Sequence, residues 1–156
     1  KAWRLLPEWL AAPGEPPLFL NGVGGLAAPF WRPLFRSRFV GRGGVPERMV
    51  AVVESVAFLL MENLALMRRG GTPIQRLVVT GGYANYDGLC QRLADLSGLP
   101  VARPELYEAT ALGAARLTGG IAAPAAALEV SFTPAENGAL RRRYGRWREA
   151  MGEALG

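Results

Sequence analysis

The chain has 156 residues, half of them hydrophobic, enough for one globular domain with a core of its own. Its net charge of +5 and pI near 10.1 invite a nucleic-acid reading, yet all but one of its 18 basic residues are arginine in an Ala-, Gly- and Pro-rich chain, which reads as a compositional habit. With no histidine, and with Asp87 and Asp95 as the only aspartates, a metal cluster, a Ser-His-Asp triad and a Cys-His pair are excluded; Lys1, the only lysine, cannot complete a P-loop.

Residues 1–17 contain Pro7, Pro13, Pro16 and Pro17 and read as a frayed lead-in with at most a short helix. Leu18–Leu20 is a short strand. Asn21–Pro33 is a Gly/Pro-rich loop that folds Phe30 and Trp31 back onto the core. A second strand is expected at Phe39–Val40. The main helix opens at Pro46 or Glu47, with the acidic residue at the positive end of its dipole, and runs to Arg69 before Gly70 and Gly71. Val50, Val53, Ala57, Met61 and Leu64 fall at helical spacing on the side that faces the sheet. Its most apolar part, Met49–Met61, is interrupted by Glu54 and is shorter than the roughly 20 residues a membrane crossing needs. Glu54 is either an activated acid or base or a carboxylate satisfied by a neighbouring backbone or arginine.

A strand at Gln75–Thr80 carries Leu77, Val78 and Val79, a continuous apolar run expected of a strand buried on both faces. Gly81 and Gly82 end it. The following helix, Asn85–Ser97, takes its cap and first-turn chemistry from Asn85 and Asp87 and its apolar face from Leu89, Leu93 and Leu96. Cys90 lies inside that helix as a packed thiol rather than a reactive one. Pro100–Arg103 is another strand. Glu108–Thr118 is a helix whose Ala109, Gly113 and Ala114 would let a neighbouring backbone come close. Ile121–Ala135 is irregular. The last helix, Glu136–Leu155, is amphipathic on Leu140, Tyr144, Trp147 and Met151, and its Arg141, Arg142, Arg143, Arg146 and Arg148 form a solvated face rather than a phosphate-backbone site. Alternating strands and helices give an α/β class, with Leu18–Leu20, Phe39–Val40, Gln75–Thr80 and Pro100–Arg103 expected in a central sheet.

Two Gly-rich segments are candidates for ligand chemistry. Gly22-Val23-Gly24-Gly25-Leu26-Ala27 fits the pattern G-x-G-x-x-A, but Pro29 and Pro33 deny it the helix that a dinucleotide turn must open, and no acidic residue lies between Glu15 and Glu47 to hold a ribose. Gly81-Gly82 between a strand and a helix N-terminus is either a tight turn or the place where an α/β sheet takes a nucleotide.

The flanks of that pair decide between these readings. GVGGLAAPFWRP (Gly22–Pro33), SRFVG (Ser37–Gly41), VVESVAF (Val52–Phe58), LVVTGGYANYDGLCQRLAD (Leu77–Asp95), LPVARPELYEATALGAARLTGG (Leu99–Gly120) and RYGRWREAM (Arg143–Met151) occur in that order. In order and spacing they resemble the C-terminal domain of the FGGY carbohydrate kinases, a glycerol kinase-like member of the actin-like ATPase superfamily, from about Leu18 to Gly156. The resemblance implies a ribonuclease H-like, actin-like fold without the first part of the domain. It places residues 1–17 as a lead-in and residues 18–156 as the nucleotide side of the C-terminal domain. It departs from the family pattern at Arg42 and at the short turn that follows, and Thr80 stands where many members carry Asp or Gly.

The same resemblance implies an ATP-dependent sugar or polyol kinase that uses ATP and Mg²⁺. Gly81 and Gly82 match the family's adenosine-motif pair, with the Gly82 backbone against the nucleotide. The family's adenine-side polar residue falls on Tyr86, so that either Asn85 makes the contact or Tyr86 stacks on the base. No catalytic residue and no metal ligand is assigned to this chain, whose fragment alone is expected to be inactive. The sugar or polyol would bind mainly to a missing N-terminal domain, with a lean towards a small polyol. A soluble, cytoplasmic protein is expected, with no nucleic-acid or membrane partner and a homo-oligomer left open. The alternative is a non-enzymatic actin-like binding or assembly module with a vestigial nucleotide site.

Overall fold

The computed structural model describes residues 2–71, 73–105, 109–119 and 129–156. In chain order the elements are α1 (Ala2–Ala11), β1 (Leu18–Leu20), β2 (Arg38–Val40), α2 (Val45–Arg69), β3 (Leu77–Val78), α3 (Asp87–Ser97), β4 (Val101–Pro104), α4 (Ala109–Leu117), β5 (Glu129–Phe132) and α5 (Gly138–Leu155). They divide into two units, residues 1–73 with 136–156, and residues 74–135. The strands fall into two sheets, β1-β2 and β3-β4-β5, where a single central sheet was expected.

In the first unit β1 is buried throughout and pairs antiparallel with the exposed β2, Phe19 opposite Phe39. α2 packs on β1 and on α1. Its buried face holds Val50, Val53, Ala57, Met61 and Leu64, the residues that helical spacing selects. At 25 residues α2 is roughly 37 Å long, so the expectation that it is too short for a membrane does not stand. Half of its most apolar stretch is buried within the protein, as in a core helix. Glu54 is buried and pairs with Arg143 of α5, which donates from Nε at 2.9 Å and also from Nη2. The same guanidinium donates to the carbonyls of Pro16 and Pro17. Glu54 is therefore a satisfied structural carboxylate, and Arg143 leaves the solvated face expected of the arginine cluster. The spacing Leu140-Arg143-Trp147 already put it on the apolar side of α5.

That side closes the core. The rings of Tyr144 and Trp147 stand 5.4 and 5.6 Å from Phe58, and Trp147 Nε1 donates to Phe19 O at 2.9 Å. Asn137 caps α5 by accepting from Leu140 N–H at 3.1 Å. The lead-in differs from expectation: α1 accommodates Pro7 and buries Leu6 and Leu10, since losing one helix bond matters less than covering two leucines. Trp31, expected on the core, is 72% exposed.

In the second unit β3 runs parallel to β4, and β4 pairs antiparallel with β5. The expected six-residue buried strand is reduced to Leu77–Val78, and Val78 is half exposed because β3 lies at the edge of its sheet. α3 packs on β4 with Leu89, Cys90, Leu93 and Ala94 buried, and ends at Gly98 in the left-handed conformation. β5 arises inside a segment expected to be irregular, its Phe132 buried opposite Val101; residues 133–135 are irregular as expected, and residues 121–128, like Glu108, lie outside the described residues. α4 brings no described neighbour within 4 Å of a Cβ placed on Gly113, so close backbone approach is not seen there.

Candidate functional site

β3 enters its turn through two ladder bonds to the β4 strand region, Leu77 N–H to Pro100 O and Val79 N–H to Ala102 O, both 2.9 Å. Gly81 then adopts φ 86°, ψ 178°, a region closed to residues with a Cβ. Gly82 starts a 3-10 helix, Gly82–Asn85, tied by Ala84 N–H to Gly81 O at 2.9 Å, with Tyr86 N–H to Tyr83 O at 3.2 Å beyond it. The two glycines therefore differ. Gly81 makes the bend. Gly82 is exposed, is not among the positive-φ glycines, and a Cβ placed on it meets no protein atom within 4 Å. Among the described residues nothing requires residue 82 to be glycine.

All four sequence-selected residues lie on this one turn. Asn85 does not cap α3 as expected: it ends the 3-10 helix, and the cap position falls on Tyr86, without a side-chain cap bond. The extra tight turn displaces the helix start by two residues, which no local pattern announces. Asn85 is exposed and Tyr86 half-buried. Tyr83, not singled out from the sequence, is 48% exposed with its ring 6.5 Å from that of Tyr86. Its position next to the glycine pair was the available signal.

Beneath the turn, Ala84 is fully buried and its carbonyl accepts from Arg103 Nη1 at 2.8 Å and from Cys90 Sγ at 3.5 Å. Arg103 also donates to Asp87 Oδ1 at 2.6 Å. Burial pushes the Cys90 thiol up from its ordinary value, against the opposing pull of Arg103. Asp95, the other aspartate, is buried and accepts from Gln91 Nε2 at 2.7 Å and from Ala135 N–H at 3.0 Å. Both aspartates are thus engaged in structure. Among the described residues no group of three or more Cys, Asp or Glu could hold a metal ion.

The other Gly-rich segment is of a different kind. Leu26 and Arg32 form an isolated antiparallel bridge around Pro29, and no helix opens from the G-x-G-x-x-A stretch. A cavity of about 360 Å³ near it is lined by Trp31, Pro33, Leu34, Phe35, Ala154 and Leu155 with Arg32, a lining without a carboxylate.

The family model described as the FGGY family of carbohydrate kinases, C-terminal domain, matches residues 4–123. Among similar proteins, the glycerol kinase of Methylobacterium nodulans is 39% identical over 166 residues, covering 94% of this chain and 32% of that protein. Glycerol kinase 1 of Clostridium tetani is 44% identical over 99 residues, covering 61% of this chain and 20% of that protein. In solved structures, gluconate kinase from Lactobacillus acidophilus superposes with TM-score 0.76 at 20% identity, covering 98% of this chain and 35% of that one. Plasmodium falciparum glycerol kinase with ADP does so with TM-score 0.69 at 20% identity, covering 99% and 36%. These likenesses give the actin-like ATPase fold, and the chain spans about a third or less of the Methylobacterium and Clostridium glycerol kinases. The chain belongs to the FGGY family of carbohydrate kinases, within which it matches the C-terminal domain.

Proposed function

We propose that this chain is the nucleotide side of an ATP-dependent sugar or polyol kinase, with the turn Gly81–Tyr86 as the wall against which the adenosine lies. The observation that carries the reading is Gly82, an exposed glycine whose missing Cβ opens onto space that no described protein atom fills. Backbone without a side chain is what close approach of a ligand requires. Asn85 offers amide donors and acceptors on the same turn, and the exposed faces of Tyr83 and Tyr86 offer stacking area for a base.

ATP would supply the transferred phosphoryl group, and such transfer rests on positioning and charge neutralisation more than on covalent chemistry. What this chain's residues do is bind and orient the nucleoside end. No step through Mg²⁺ is assigned to them, because the carboxylates at the turn do not fit: Asp87 is paired with Arg103 and Asp95 is buried in hydrogen bonds. The general base that deprotonates the acceptor hydroxyl, and the sugar pocket, lie outside the described residues in this reading. A small polyol is the favoured acceptor class, in keeping with the relatives named glycerol kinase.

Phosphorylation of glycerol, xylulose and gluconate by the full-length protein, followed through ADP release, tests the activity; turnover is expected with ATP and highest with glycerol. Turnover of none of the three, together with no ADP binding, would leave the non-enzymatic actin-like module as the better reading. The departures from the family pattern at Arg42 and Tyr86 are what favour that second reading.

A further inference from the structure

Arg103 stands out among the side chains that no sequence motif selects. It sits on β4, directly after Ala102, whose carbonyl pairs with Val79 at the end of β3. The strand that delivers the glycine pair and the strand that delivers Arg103 are therefore locked in register one residue from each other. From there a single guanidinium nitrogen donates to the buried Ala84 carbonyl at 2.8 Å and to Asp87 Oδ1 at 2.6 Å. The guanidinium also lies over the Phe132 ring of β5, 5.5 Å from its centroid. It touches the middle of the 3-10 helix, the first residue of α3 and β5 at once, with its own side chain only 16% exposed.

We propose that Arg103 is the positioning residue of the nucleotide wall, fixing the angle of the Gly82–Asn85 turn against the sheet; this rests on the proposed nucleotide site. Among the described residues the turn also has its short-range bonds, Ala84 N–H to Gly81 O and Tyr86 N–H to Tyr83 O, the bonds of Leu89 and Cys90 N–H to Tyr86 O that begin α3, and the weak Cys90 thiol donor. Local bonds of that kind close the turn without setting its direction. The charge-assisted bond from a neighbouring strand sets it, because the acceptor is a fully buried carbonyl that solvent does not reach. Arg103 itself touches no nucleotide in this scheme. It acts through the backbone that carries Gly82, Tyr83 and Asn85. The exposed arm to Asp87 contributes less, since that carboxylate is 73% exposed and screened by water.

The role predicts a particular kinetic pattern in the full-length protein. Arg103→Met keeps an unbranched stem and removes the guanidinium, with its two hydrogen bonds and its place over Phe132. The Kd for ADP and the KM for ATP are expected to rise about fivefold to tenfold, with kcat and the acceptor KM within about twofold of wild type, because ground-state and transition-state binding are lost together. Arg103→Lys can reach one acceptor and is expected to recover about half of that loss on a logarithmic scale. Gly82→Val, measured alongside, reports on the wall itself. Loss of ADP affinity in Gly82→Val with unchanged affinity in folded Arg103→Met overturns the role of Arg103 alone. Unchanged affinity in both variants overturns the nucleotide wall, and Arg103 with it. Should Arg103→Met fail to fold, Arg103→Lys decides: ADP affinity equal to wild type overturns the proposal, and an intermediate loss supports it.

Discussion

The two Gly-rich segments of this chain have similar composition and opposite surroundings. In the Gly22–Gly25 loop two of the three missing side chains are filled from within: a Cβ on Gly22 would stand 2.5 Å from the Phe35 ring and one on Gly25 2.5 Å from the Pro33 carbonyl, while Gly24 faces open space. In the Gly81–Gly82 turn a Cβ on either residue would meet nothing within 4 Å. Each unit also carries an arginine that donates to backbone carbonyls and a carboxylate. Arg143 meets Pro16, Pro17 and Glu54 with both charged side chains almost wholly buried, whereas Arg103 meets Ala84 and the exposed Asp87. The first unit turns its glycines and charges inward to build a core. The second leaves one side of the same devices open. Glycine motifs are thus informative through what lies beside the missing Cβ, not through their spacing.

The largest effect that would sharpen this contrast belongs to Arg143. Arg143→Met leaves Glu54 buried without its partner, and the expected loss of stability is about 3–5 kcal/mol in denaturant unfolding. A loss below about 1 kcal/mol would show that the inward pair is not what holds α5 to α2.

Next come the glycines. Gly25→Val places a branched side chain against Pro33 at φ 87° and is expected to cost about 2–3 kcal/mol while leaving the nucleotide affinity of the folded protein unchanged. Gly82→Val should do the reverse in the full-length protein: stability within about 0.5 kcal/mol, ATP affinity down about tenfold or more. Gly82→Ala, with less bulk, should fall between. Titration calorimetry and melting curves on all three variants read both axes, and unchanged ATP affinity in folded Gly82→Val would reduce the open turn to a mere bend.

The smallest effect is on pH dependence. The folded Cys90 thiol ionises above its ordinary value of 9.0, so the stability it contributes is complete below pH 9 and is lost as pH rises towards the folded value. Wild type should therefore lose more stability than Cys90→Ala between pH 8 and pH 10 in urea unfolding. Equal losses would mean that the thiol under Ala84 is not held in a dry site.

Much of the scaffold could be read from the chain, for physical reasons that single out where reading failed. α2 and α5 repeat their apolar residues at helical spacing over many turns, and the cores found at Val50–Leu64 and Leu140–Met151 follow it. The glycine pair was legible because few other residues end a strand in that way. β5 was not, since four residues in an Ala/Pro-rich stretch carry little period and owe their conformation to pairing with β4. Pro7 disguised α1, whose stability comes from Leu6 and Leu10 against α2. Arg103 gave no local signal whatever: its three partners are 16, 19 and 29 residues away along the chain and meet only once the sheet has formed.

The division of labour between Gly81 and Gly82 has an evolutionary reading. Selection on the fold acts at Gly81, whose dihedral angles admit no other residue without strain. At Gly82 no described neighbour requires glycine, and under the proposed function the nucleotide would keep it there. A lineage that ceased to hold a nucleotide would therefore be free to drift to alanine or serine at position 82 while retaining glycine at 81. Position 82 thus serves as a gauge of use, and position 81 as its internal control.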